Sequence, residues 1–66
     1  MTHAAARYLA HVDFLRHGLP YAEQLQHLDE EIVAWLDRLH DGGDEAAVIV
    51  RGLVERRRAL LAAWER

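Results

Sequence analysis

Asp41-Gly42-Gly43-Asp44 lies between two strongly amphipathic stretches, and its reading decides the fold. Paired glycines disfavour helix, and Asp44 is suited to accept hydrogen bonds from the orphan amides of a helix that starts after it. A tight antiparallel reversal at this point turns the flanking stretches into a helical hairpin. On its N-terminal side, from about Pro20 to His40, Tyr21, Leu25, Leu28, Ile32, Trp35 and Leu39 recur at alternating spacings of four and three, with Leu36 beside them. On its C-terminal side, from about Glu45 to Glu65, Ala46, Val50, Leu53, Leu60 and Trp64 keep a heptad register, with Ile49, Val54 and Leu61 flanking and Arg57 in the remaining core position. Val48-Ile49-Val50 is β-branched, but it sits inside a helical period and has no second strand to pair with.

Upstream, Gly18-Leu19-Pro20 marks another boundary. Gly18 suits the left-handed position past a helix end, and Pro20 both stops the preceding helix and fits the first turn of the next. The first segment therefore runs from about Thr2, a candidate cap, to His17, with Ala5, Tyr8, Val12 and Leu15 as its stripe and Leu9 widening it. These segments predict an all-α chain: one domain over 1–66, helices near 2–17, 20–40 and 45–65, and a long antiparallel hairpin assembled in coiled-coil fashion into a helical bundle. If the second and third helices reverse about Gly42-Gly43, facing positions sum to about 85, which pairs Trp35 with Val50, Ile32 with Leu53, Leu28 with Arg57 and Tyr21 with Trp64.

Composition narrows what such a chain can do. With 66 residues, it buries roughly 60% of the surface its unfolded form exposes. Domains of this size lean on disulfides, metals, assembly or very regular packing, and without cysteine the first is closed. Hydrophobic residues at 52% and charged residues at 29% exclude a disordered chain. All 8 basic residues are arginine and Ser, Asn and Lys are absent, a bias that GC-rich coding produces without selection for guanidinium chemistry. The net charge of -3 argues against a dedicated nucleic-acid binder. No stretch approaches the ~18 apolar residues of a membrane span, and the start lacks the pattern of a secretory signal, so a soluble cytoplasmic protein is the expectation.

Chemistry finds little purchase. Nucleophilic catalysis needs Ser, Cys, Thr or Lys beside a base, and the only such side chain is Thr2. A narrow hairpin offers no water-excluding pocket to tune carboxylates or histidines, so neither catalytic residues nor a small-molecule substrate or cofactor is expected. His3, His11, His17, His27 and His40 are numerous, and Glu23, His27 and Glu31 share a helical face, which raises metal binding. Carboxylate-bridged bundles instead repeat Glu-x-x-His on facing helices, and only Asp37-x-x-His40 approaches that, so no metal is assigned. His17, His40, Arg16 and Arg38 suit helix C-terminal turns through the helix dipole. Asp29-Glu30-Glu31 and Arg56-Arg57-Arg58 face each other in the hairpin and are expected to form interhelical ion pairs, Arg57 with Asp29 or with a second chain.

What remains is protein binding. The first helix reaches along only part of the hairpin, leaving the far end of the third helix uncovered, and a contiguous apolar strip on a small protein marks a contact surface. Val50, Leu53, Val54, Arg57, Leu60, Leu61 and Trp64 are the expected partner-binding residues. Gly52, Ala59 and Ala63 form a small-residue strip where another helix can approach closely, unless Gly52 is simply exposed. From Leu25 to Trp64 the pattern of leucine-rich helix, Gly-Asp reversal and the run Leu53-Val54-Glu55-Arg56-Arg57-Arg58-Ala59-Leu60-Leu61 resembles the small helical export chaperones of bacterial flagellar and type III secretion systems. Flagellar chaperones of this kind carry a further C-terminal helix that this chain lacks, and needle-subunit co-chaperones are closer in size. The resemblance implies a protein that shields an apolar helix of a secreted subunit in a groove, with Leu53, Leu60, Leu61 and Trp64 as anchors. The competing expectation is a self-associating structural or regulatory subunit, such as a homodimeric bundle. A DNA-binding helical regulator ranks third, because Arg56 to Arg58 lie beside the apolar stripe and between Glu55 and Glu65.

Overall fold

The computed structural model describes residues 3–65 and is all-α, with α1 (His3–Arg16), α2 (Tyr21–Leu36) and α3 (Leu39–Trp64). The expected cap at Thr2 lies outside the described residues. The α1–α2 boundary follows from its residues. Gly18 takes φ 85, a left-handed conformation, and α2 begins directly after Pro20, whose carbonyl accepts the Gln24 amide at 2.9 Å.

The reversal between α2 and α3 departs from the expected single break after His40. α2 ends a turn earlier, at Leu36, where the Asp37 amide still reaches the Val33 carbonyl at 3.2 Å and the Arg38 amide turns to that of Trp35 at 3.0 Å. Arg38 sits at φ -92, ψ -3, and its guanidinium lies over the Trp35 ring, 4.8 Å from the centroid. That cation–π contact holds the turn against the end of α2. A short helical turn over 39–42 follows, and at Gly43 (φ 58, ψ -144) the chain bends sharply into the long arm of α3. This backbone conformation is close to one that only glycine adopts without strain. Gly43 therefore completes a reversal that begins at the Asp37–Arg38 turn, with one short helical turn between the two breaks.

Ala5, Leu9 and Val12 of α1, Leu28 of α2, and Ile49 and Leu53 of α3 form a single buried core, with Tyr8, Ile32, Trp35, Val48 and Leu60 packed around it. Each fully buried Leu, Ile or Val contributes about 1.5–3 kcal/mol relative to its exposed state. The α1 stripe is shifted from expectation: Leu9 is central and Leu15 is exposed.

α1 lies mainly against α3. Gly52, expected either to admit a foreign helix or to be exposed, is buried under α1 of its own chain. A Cβ placed on it would stand 2.6 Å from Leu9 Cδ1, so the missing side chain is the seat of the Leu9 tip. Near this seat, Arg56 Nε and Nη2 donate to the two carboxylate oxygens of Asp13 at 2.8 and 3.0 Å, and Arg56 Nη1 donates to the Gly52 carbonyl at 3.1 Å. Arg16 joins the same carboxylate at 3.2 Å and reaches Gln24 Oε1 at 3.0 Å, while Gln24 donates to the Leu19 carbonyl at 2.7 Å. One polar chain thus ties the end of α1, the α1–α2 loop and α3 together.

Candidate protein-binding interface

The α2–α3 hairpin has two long sides, and α1 occupies one of them. On that side Tyr8 meets the edge of Trp35, with centroids 5.2 Å apart and planes at 68°, and donates a hydrogen bond to Glu31. Partial burial, reinforced by Glu31, pushes the Tyr8 hydroxyl above its ordinary pKa of 10.0. The bidentate Arg56 contact, assisted by Arg16, holds the Asp13 carboxyl below its ordinary 3.8 against an opposing desolvation effect.

Among the described residues, no further helix covers the other side. Helical phase places Val33 and Leu36 of α2 and Val50, Val54 and Leu61 of α3 along it. Val33 is 60% exposed, Leu36 46% and Val54 38%, while Val50 and Leu61 are half-buried. A shallow open depression of about 400 Å³ lies on α2 among Asp29, Glu30, Val33 and Ala34. Among the described residues one ion pair crosses the face, Arg57 Nε to Asp29 Oδ1 at 2.6 Å, with both side chains partly solvated. At its end Tyr21 stacks on Trp64, with centroids 4.3 Å apart and planes at 18°.

The expected site residues divide accordingly. Val54 and Leu61 belong to the open face and Val50 borders it. Leu53 is fully buried in the core and is withdrawn as a partner anchor, because the hairpin closes over it. Leu60 packs against the core from its edge, so it is half-covered by its own chain. Trp64 remains 65% exposed despite its stacking on Tyr21. Arg57 has an intrachain acceptor in Asp29, as the facing of the two charged triplets implied, but Arg56 pairs with Asp13 and Glu31 receives Tyr8. The apolar opening expected at the far end of α3 is present, with Trp64 exposed and Leu60 and Leu61 half-buried, and it continues along the flank of the hairpin through Val54 and Val33. Val33 was missed because it lies outside the α2 stripe, and Leu36 was read only as a neighbour of that stripe. Phe14, 78% exposed on α1, is the other large apolar side chain that periodicity did not place.

Other chemistry is sparse among the described residues. His27 Nε2 stands 3.9 Å from Glu31 Oε1, and its Nδ1 is buried without a hydrogen-bond partner. No group of three or more His, Cys, Asp or Glu side chains converges there in metal-binding geometry, and no helix is long and apolar enough to cross a membrane. Compared with known protein families, with characterised proteins and with solved structures, the chain matches none.

Proposed function

We propose that this chain is a non-enzymatic protein-binding module whose working surface is the α2–α3 face left open by α1. The observation that carries the reading is the exposure of Val33, Leu36 and Val54 beside Val50 and Leu61 on one side of a hairpin whose other side is sealed. A two-helix face with an apolar band and charged rims is the groove into which an amphipathic helix docks through spaced apolar anchors. The export-chaperone resemblance would make that helix part of a secreted subunit, and the self-associating alternative would make it part of another copy. A DNA-binding role is disfavoured by the engagement of Arg56 and Arg57 with Asp13 and Asp29, which leaves these guanidinium groups neutralised rather than facing phosphates.

Replacing Val33 and Val54 with glutamate tests the reading. Val33 is 60% and Val54 38% exposed, so thermal stability should fall modestly, by about 1 kcal/mol. Association, read by sedimentation or light scattering for self-assembly and by capture for a foreign protein, should fall at least tenfold, since burying each unpaired carboxylate in an interface is strongly unfavourable. Unchanged association in the double variant would remove this face from consideration.

A further inference from the structure

We propose that the occupant of this face is a second copy of the chain, docked about a two-fold axis that runs parallel to the helices, so that α2 of each copy lies on α3 of the other. The proposal rests on the reading of the open face above and adds the partner and its orientation. The charges on the two rims carry it. Helical phase puts Glu30 on the outer rim of α2, with Asp37 at the C-cap just past its end in line with that rim, and Arg51 and Arg58 on the outer rim of α3, and all four are exposed. Within one chain these rims lie at opposite edges of the hairpin. Among the described residues Glu30 bonds only to Gln26 and Arg51 only to Glu55, each on its own helix, and Asp37 and Arg58 form no ion pair.

The heights of these residues nearly match. Asp29–Arg57 and Tyr21–Trp64 show which positions of α2 and α3 lie level along the hairpin. On that scale Val33 is level with Val54 and Leu36 with Val50 to within about two residues, while Glu30 and Arg58, like Asp37 and Arg51, are offset by about two to three residues, roughly 3–4 Å, which these long side chains can span. A two-fold axis along the helices keeps every height and exchanges the edges. It therefore sets Glu30 against Arg58 of the second copy and Asp37 against Arg51, while Val33 covers Val54 and Leu36 covers Val50 between them. The other in-plane two-fold, across the helices, stacks α2 on α2 and brings acidic rim against acidic rim, which like-charge repulsion disfavours. The face is thus self-complementary in one orientation, as an isologous dimer requires.

The test uses the full chain, which has no cysteine of its own. Light scattering should give twice the 7.6 kDa of one chain. Mixing the separate Glu30→Cys and Arg58→Cys variants and oxidising them should yield a covalent heterodimer, whereas Glu30→Cys alone should stay uncoupled. Glu30→Arg with Asp37→Arg should weaken the dimer about tenfold, and adding Arg51→Glu with Arg58→Glu in the same chain should restore it to within a few-fold, as rim ion pairs predict. Circular dichroism on each variant separates lost assembly from lost folding. Self-coupling of Glu30→Cys, or failure of the charge reversal to restore a folded variant, would overturn the orientation. A mass of one chain at high concentration would overturn the second copy as occupant. If Val33→Glu then still abolishes capture of another protein, the binding face stands without it; a dimer indifferent to Val33→Glu ends both.

Discussion

The two sides of the α2–α3 hairpin have similar apolar material and opposite fates. On the covered side a missing side chain at Gly52 makes a seat for Leu9, a carboxylate on α1 grips Arg56 with both oxygens, and Tyr8 finds both Trp35 and Glu31. On the open side, Val33, Leu36 and Val54 stay partly exposed, and the crossing ion pair joins α2 to α3 without engaging α1. Covering a helical face thus depends less on greasiness than on a steric seat and on polar groups that reach across to the covering helix. Where α1 has both it docks; on the open side the crossing Arg57–Asp29 pair joins α2 to α3 and offers α1 no grip, so the apolar band stays available to another chain.

The comparison can be broken from its centre outward. Leu53 supports both sides, and Leu53→Ala should destabilise the fold by about 2–5 kcal/mol in denaturant titration through lost burial and the cavity left behind. A smaller change would show the core to be looser than its burial implies. Next comes the covered side alone: Gly52→Leu fills the Leu9 seat and should cost about 1–3 kcal/mol by overpacking, lifting α1 while the hairpin keeps its helicity. Amide exchange would report the effect as lost protection in 3–16 with 44–64 spared.

Asp13→Asn should cost about 0.5–1 kcal/mol, because the carboxylate it removes is partly solvated. The pH dependence has a definite sign. Asp13 is more acidic folded than its ordinary 3.8, so its contribution is full above that value and disappears as the pH falls through the depressed folded value. Wild type should therefore lose stability relative to Asp13→Asn on acidification below about pH 4, and parallel melting curves for the two across that range would count against the Arg56 grip. Smallest in stability is Val33→Glu on the open side, whose effect belongs to association.

Much of the fold was legible because its signals are local. Alternating spacings of three and four gave the helices, Gly18-Leu19-Pro20 gave the first boundary, and a reversal near Gly42-Gly43 was enough to pair Tyr21 with Trp64 and Arg57 with Asp29. The placement of α1 was less legible, since it depends on a notch and a bidentate grip formed between residues 43 positions apart in the case of Asp13 and Arg56. Leu53 read as an anchor because a stripe records which residues are apolar, not which side of a hairpin they end on. Val33 escaped for the complementary reason: its position is defined only once α1 has chosen the opposite side. The early end of α2 at Leu36 also eluded periodicity, because Leu39 continues the apolar spacing while the backbone has already turned under Arg38.

This hairpin closes through two short breaks, the Asp37–Arg38 turn and the backbone angles of Gly43. A hinge concentrated in so few residues can be straightened by rotation about a handful of backbone bonds, and the long arm of α3 would then leave its own α2 and lie along that of a neighbour. Every contact that stabilises the hairpin, from the Tyr21–Trp64 stack to the core around Leu53, would form again between the exchanged arms. An alanine in place of Gly43, which resists the glycine conformation, should therefore favour entangled pairs of chains over closed ones.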